Sequence, residues 1–425
     1  MSINKNSNQN LRSKSPIVFF IGTVFPEPKS TAAGTRILQL IKFFQNQGFD
    51  VVFGSASKYS PQSFDLNSIG VNVVNIILND ISFDEYIKDL NPHCVVFDRF
   101  MTEEQFGWRV TNCCPKAIRI LDTEDLHFLR KARKNANLNT AKFSKDFLKN
   151  DTAKRELASI YRCDLSLIIS EVEFDILSKE LNIDTSIILY LPFLLESNQI
   201  PNQQELPNFE NRKDFVFVGS FIHPPNADTV SYLKMHIWPK LRKICPDAFL
   251  NIYGSYPKTQ HLNLTNKKEN FFVHGFVDDI DKVLSSSRVL LAPIKFGAGL
   301  KGKVIDAMRN GTPCILSDIA AEGVFESSEY DNHVSNDEDA FIEKAMDLYT
   351  NEDLWKSAQN IGFMTLRKRF ISKKYDSIFI ERIQYLENNL ESHRIQNFTG
   401  ILLQHHTMQS SKYFSKWIEA KNKGL

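Results

Sequence analysis

The chain has 425 residues, 42% of them hydrophobic and 24% charged, a composition that excludes intrinsic disorder over most of its length and suits two or three domains. Its 51 basic and 50 acidic side chains leave a net charge of +1, so no global field recruits a polyanion and nucleic acid is not an expected partner. Six cysteines without a C-x-x-C pair (Cys94, Cys113, Cys114, Cys163, Cys245, Cys314) read as buried thiols of a reducing, cytoplasmic compartment.

Residues 1–15 are polar and hold no apolar segment, so they are expected to be a disordered tail rather than a signal peptide or anchor. IVFFIG (17–22) then predicts a strand stopped by glycine, followed by a Pro-containing loop and an amphipathic helix over 33–47. Apolar runs at 51–54, 71–78, 94–98, 117–121 and 165–170 repeat the unit, separated by helical patterns. Strands that are apolar throughout and alternate with helices predict a parallel sheet covered on both faces. IILYLPFLL (187–195) is too short to span a membrane and contains Pro192. The polar, aperiodic stretch 196–213 reads as a linker. A second series of strands follows at 215–220, 249–254, 271–276, 288–294 and 312–317. From Glu338 the pattern is helical, with a strongly amphipathic helix at 375–393 and no clear pattern beyond 395. The expected division is a tail (1–15), a first α/β domain (16–195), a linker (196–213), a second α/β domain (214–370), a carboxy-terminal helix (371–394) and an extension (395–425). The fold class is α/β: two doubly wound, Rossmann-like domains whose strand ends face each other across a central cleft, where ligands of open sheets bind.

The most informative segment is APIKFGAGLKGKVIDAMRNGTPCILSD (292–318). A strand ends at Pro293, Gly297, Gly299 and Gly302 allow tight turns around Leu300, and a helix starts near Gly302. Backbone N–H groups at that helix start, with Lys301 and Lys303, form a candidate site for a phosphate or diphosphate. No G-K-[ST] follows, so the segment is not a nucleotide triphosphatase P-loop. Asp306, on the first turns of the same helix, is placed to accept hydrogen bonds from a ribose diol. In FVGSF (217–221), Gly219 lets the backbone approach a ligand, and Ser220 and His223 can donate to phosphate oxygens. HGFVDD (274–279) offers a slot for a flat base held by backbone groups near Phe276 and Val277, or a simple turn with a helix-capping aspartate.

In the first half, LDTEDLHFLRKARK (121–134) concentrates Asp122, Glu124, Asp125 and His127 after a strand. Such a cluster can orient hydroxyls and manage protons, and capping or solvation accounts for many such clusters. Arg36, beside the loop containing Gly34, is expected to face the cleft and pair with an anionic group. No spacing typical of a metal site is present. Residues 129–155 hold nine Lys or Arg against two Asp, which reads as a solvated helical face or as a patch for anionic headgroups at the inner membrane face or for a polyanionic acceptor.

The motifs FVGSFIHPPNADTVSYL, LNIYGSYP, VHGFVDDIDKVLSSSRVLLAPIKFGAGLKGKVIDAMRNGTP and AAEGV, in this order, resemble group 1 (family 4) glycosyltransferases of the GT-B fold. IVFFIGTVFPEPKSTAAGTR, VVFDRFMTEEQFGWRV and LDTEDLHFLR are similar to the amino-terminal half of one bacterial branch. The resemblance implies a retaining, metal-independent hexosyltransferase without a cofactor, which moves a sugar from a nucleoside-diphosphate donor to a glycan or lipid-linked acceptor in cell-surface polysaccharide or glycoconjugate synthesis. It implies donor binding by Gly219, Ser220, His274, Val277, Gly297, Gly299, Leu300, Lys301, Lys303 and Asp306. Catalytic roles fall to His127, Asp122 and Arg36, with Gly34, Glu124 and Asp125 on the acceptor side. It also implies that a carboxy-terminal helix returns to the first domain. The family pattern of two glutamates separated by seven residues is broken: Ala298 replaces the first and Asp306 the second. That departure keeps two alternatives open, a nucleotide-sugar epimerase and a degenerate nucleotide-binding protein.

Overall fold

In the computed structural model, which describes residues 15–138, 144–326 and 330–424, two wholly parallel sheets follow one another along the chain. Apart from Ser15, the expected tail lies outside the described residues. The first sheet comprises β1 (Ile17–Gly22), β2 (Asp50–Ser55), β3 (Asn72–Asn75), β4 (Cys94–Asp98), β5 (Ile118–Asp122), β6 (Leu165–Ile168) and β7 (Ile188–Tyr190), in the order β3-β2-β1-β4-β5-β6-β7. The second comprises β8 (Lys213–Val218), β9 (Leu250–Tyr253), β10 (Phe271–Gly275), β11 (Ser287–Ala292) and β12 (Cys314–Leu316), in the order β10-β9-β8-β11-β12.

In the first sheet the all-apolar strands arise because each face has its own core. Phe19, Ile21, Val95, Phe97 and Leu121 enter one hydrophobic cluster, while their neighbours Val18, Phe20, Val96 and Ile120 enter the other. The order reverses between β1 and β4 in the first sheet and between β8 and β11 in the second. These are the switch points where parallel sheets open a crevice at their strand carboxyl ends. At the first, the Thr23 N–H donates to Asp98 Oδ2 at 3.0 Å and joins the two strand ends.

The run 187–195, considered only as a possible span, supplies strand β7. Among the described residues no helix is long and apolar enough to cross a membrane. Cys113 and Cys245 are only half-buried, whereas Cys94, Cys114, Cys163 and Cys314 are buried. At the end of the stretch read as a linker, Arg212 is wholly buried and donates to Pro207 O, Thr312 Oγ1 and Asn310 O, tying the segment to the second sheet's half.

Helix Lys373–Gln396 sends Tyr375, Phe379, Ile383 and Leu386 into the first sheet's core, where Phe379 stacks on Phe43 at 4.5 Å. Past residue 395, where the sequence pattern fades, the chain forms a second long helix, Phe398–Asn422.

Candidate functional site

The second sheet's crevice is lined by the loops after β8 and β11. A Cβ on Gly219 would lie 2.6 Å from the Asn226 carboxamide, and one on Gly254 would lie 2.0 Å from Gly219 O, so both glycines are required by close approach. The Asn226 Nδ2 donates to Ser220 O at 2.9 Å, and the Lys303 ammonium donates to Asn226 Oδ1. Lys303 also lies 4.6 Å over the Phe217 ring. One carboxamide therefore joins the two loops. Burial, with Lys301 close by, pulls the Lys303 ammonium down to about 7. The Ser220 hydroxyl is buried with no hydrogen-bond partner among the described residues.

The helix Gly302–Arg309 has no side-chain cap at its amino end, where the Val304 N–H closes back on Lys301 O at 2.8 Å. Asp306 follows on its second turn. Burial raises its carboxyl to about 6 against the pull of Arg309, while the side chain keeps 42% of its surface, so water moderates that push.

The two lysines differ. Lys301 turns back on its own loop and donates to Gly299 O at 2.6 Å and Ala298 O at 3.3 Å, whereas Lys303 points at the β8 loop. Leu300 is buried in the second core, and Gly297 O accepts from Arg133 at 2.8 Å. The His274 side chain stacks on Tyr253 at 4.6 Å and pairs with Asn251 at 2.8 Å along the edge strands. The ring is thus engaged with its neighbours on the sheet. Asp279 caps the helix after β10, and Val277 lies half-buried in the intervening turn.

On the first sheet's side, Asp122 and Arg36 meet as an ion pair at 3.0 Å, both fully buried, and Arg36 also donates to Pro192 O at 2.7 Å. Arg36 was expected to face the cleft. It is instead paired internally with Asp122, and its Nη2 is buried without a hydrogen-bond partner among the described residues. Gly34 is likewise used up: its N–H donates to the Thr31 hydroxyl at 3.0 Å, and a Cβ would lie 2.5 Å from the Glu27 backbone.

Glu124, Asp125 and His127 do gather at the cleft edge. Burial raises the Glu124 carboxyl well above its usual range, with Asp122 adding to the push, and its Oε1 has no hydrogen-bond partner among the described residues. Burial would also raise Asp125, but Arg130, 2.6 Å away, and His127 outweigh it and hold it at about 2. Burial keeps His127 neutral near pH 7 by lowering it to about 4, against the pull of Asp125 at 3.4 Å. The Glu156 carboxylate accepts the His127 and Phe128 N–H groups and so fixes the start of their helix.

The halves meet through named contacts. Gly299 adopts φ +65°, and a Cβ there would lie 2.8 Å from Asp125. Its N–H donates to Glu173 Oε1 at 2.8 Å, and the same oxygen accepts the Leu126 N–H at 2.9 Å. Arg133 grips Glu322 through two hydrogen bonds at 2.9 and 2.6 Å, and the Tyr256 hydroxyl donates to the Glu27 carboxylate. Arg130 donates to His223 at 3.2 Å, with burial holding the imidazole at about 4 and so neutral.

Asn226, Glu173, Arg133 and Glu322 are absent from the sequence-based candidates. They act by pairing across long sequence separations, which local spacing does not encode. Asp98 and Arg99 carried a weak signal, as polar residues directly after an apolar strand; Arg99 stands at φ +70° among carboxylates. In the described part of 129–155 much of the basic charge is spent, on Asp125, Glu322, Asp146, Asp151 and Glu104.

Residues 212–351 match the family described as glycosyl transferases group 1. A protein of 44.6 kDa from the cps region of Klebsiella pneumoniae is 24% identical over 236 residues, which are 54% of this chain and 58% of that protein. The match thus spans little more than half of the relative's length. In structure, the chain is similar to sucrose-phosphate synthase of Thermosynechococcus elongatus, with a TM-score of 0.65 at 13% identity over 87% of this chain and 99% of the other. The pneumococcal O-GlcNAc transferase GtfA, in complex with UDP and GlcNAc, gives a TM-score of 0.65 at 10% identity over 88% and 99%. At such identities the likeness is one of fold. The two parallel sheets have the GT-B arrangement, and residues 212–351 are similar along their sequence to group 1 glycosyl transferases.

Proposed function

We propose that the protein is a retaining glycosyltransferase, of hexosyltransferase type and independent of metal, that moves a sugar from a nucleoside diphosphate to a glycan or lipid-linked acceptor. The observation that carries this reading is the crevice at the second switch point. There an uncapped helix start, the Lys303 ammonium and the buried Ser220 hydroxyl converge beside Gly219. Such a set suits a diphosphate, with Asp306 one turn further on for the ribose.

In the step, the bond from the sugar's anomeric carbon to the diphosphate oxygen breaks while the acceptor oxygen bonds to that carbon on the same face. The acceptor proton passes to the departing diphosphate. Lys303 and the loop amides stabilise the charge that develops on the leaving group. On the opposite wall, neutral His127 and the carboxyls of Glu124 and Asp125 would orient sugar and acceptor hydroxyls. Support for a role in cell-surface polysaccharide or glycoconjugate synthesis comes from the cps-region relative, and support for a uridine nucleotide from the UDP bound to GtfA.

A protein that only binds nucleotide is favoured by one observation: Ala298 packs its methyl into the first sheet's core cluster, where the family pattern places a carboxylate. Incubation with a panel of UDP, GDP, ADP and CDP sugars separates the readings. Release of nucleoside diphosphate that requires an acceptor supports transfer. Release with an epimerised free sugar and no acceptor supports epimerisation, and binding without turnover supports the degenerate reading.

A further inference from the structure

The helix Phe398–Asn422 is fastened to the first half of the molecule through polar contacts on one side. Asn397 Nδ2 donates to Tyr161 O at 2.7 Å, and Gln404 Nε2 to Arg162 O at 3.0 Å. The buried Arg109 donates to Ser415 Oγ at 3.1 Å and pairs with Glu419. Gly400 sits so close to Tyr161 O that a Cβ would lie 2.2 Å away.

The large apolar side chains of this helix point elsewhere. Phe398, Ile401, Leu402, Tyr413, Phe414 and Trp417 are each between 42% and 64% exposed. At about 100° per residue, Phe398, Leu402, Tyr413 and Trp417 fall within an arc of roughly 100°, and the pinned Gly400, Gln404 and Ser415 lie on the opposite side. Phe414 stacks on Trp417 at 5.9 Å, and Lys421 lies 5.4 Å over the Trp417 ring. Lys416, Lys421 and Lys423 are exposed and Lys412 flanks them, while Glu419, the one acid in this helix, is taken by Arg109.

We propose that this face docks in the plane of an anionic lipid bilayer. Its rings would enter the boundary between headgroups and acyl chains, and its lysines would lie against lipid phosphates. Charge decides the occupant. A second copy would set these lysines against their own counterparts, whereas an anionic surface matches them. The stretch 129–155 is a poorer candidate because several of its bases are already paired. The inference does not depend on the glycosyl-transfer reading, and its test involves no turnover.

The full-length protein is floated with phosphatidylcholine vesicles with and without phosphatidylglycerol. Trp108, Trp238 and Trp355 are buried, so Trp417 is the tryptophan whose emission reports contact with lipid. The expected result is flotation that requires phosphatidylglycerol, a blue shift, and quenching by brominated acyl chains. Replacing Phe414→Ser with Trp417→Ser, or Lys412, Lys416 and Lys421 by Gln, should weaken flotation about tenfold or more while the melting temperature and nucleotide binding are kept. Absence of flotation with either vesicle, or equal flotation of wild type and both variants, would overturn the proposal. So would a dimer in light scattering that Trp417→Ser dissolves.

Discussion

Glu173, on the first sheet's side of the cleft, accepts the backbone N–H of Gly299 from the second at 2.8 Å. A carboxyl group thus holds the loop that carries Lys301 and Lys303, through an amide that sequence alone assigns to a bound phosphate. Burial, with Asp125 nearby, raises the Glu173 carboxyl to about 8.

A carboxyl with a raised folded-state pKa binds more protons folded than unfolded between its ordinary value and about 8. Stability from this group is therefore full below that window and falls as pH rises through it. Glu173→Gln keeps the acceptor for Gly299 and Leu126 and removes the ionisation. Its melting temperature should exceed that of the wild type at pH 8.5 and match it at pH 5, as read by calorimetry at the two pH values. Equal pH dependence in the two proteins would contradict the assignment.

Lys303→Ala should weaken nucleoside diphosphate binding roughly ten- to a hundredfold, the worth of one charge-assisted hydrogen bond of about 1.5–3 kcal/mol. Lys301→Ala should cost less, because Lys301 serves loop carbonyls. With Lys303 at about 7 in the free protein, a bound phosphate favours its charged form and raises that value. Affinity should thus be full at pH 6 and decline as pH rises through 7 and beyond, with proton uptake on binding measurable by titration in buffers of different ionisation heat.

Asp306→Ala should weaken nucleoside diphosphates about tenfold and leave inorganic pyrophosphate unchanged, since one ribose hydrogen bond to a charged group is lost and no phosphate contact. Equal losses for both ligands would move Asp306 from the ribose to the phosphate.

The pair Arg36–Asp122 is fully buried, so Asp122→Asn leaves a guanidinium without its counter-charge and should cost about 3–5 kcal/mol of stability in chemical denaturation. Diphosphate affinity of the folded variant should stay near wild type. Were stability unchanged and turnover lost, Asp122 would have a role in the reaction.

Much of the fold was legible because the interior strands carry apolar residues for both faces of their sheet, a local and redundant signal, as in CVVFD and IVFFIG. Strand β7 was missed because its three residues run into an apolar loop that ends at Pro192 without a boundary. The loop 297–303 was legible because glycines and lysines are crowded where a strand gives way to a helix. The fates of Arg36 and Asp122 were not, since their pairing spans 86 positions and a charged residue in a sequence does not announce its counter-ion. Nor was the helix after residue 397, which is held by polar pins to Tyr161, Arg162 and Arg109 rather than by an apolar stripe.

The central claim is that the crevice of Gly219, Ser220, Lys303 and Asp306 binds a nucleoside diphosphate. Calorimetric titration with UDP, GDP, ADP and CDP, on the wild type and on Lys303→Ala, tests it most directly. Saturable binding of one of these diphosphates, weakened at least about tenfold in Lys303→Ala, is the predicted result. Binding of none of them, or equal binding by both proteins, would contradict the account.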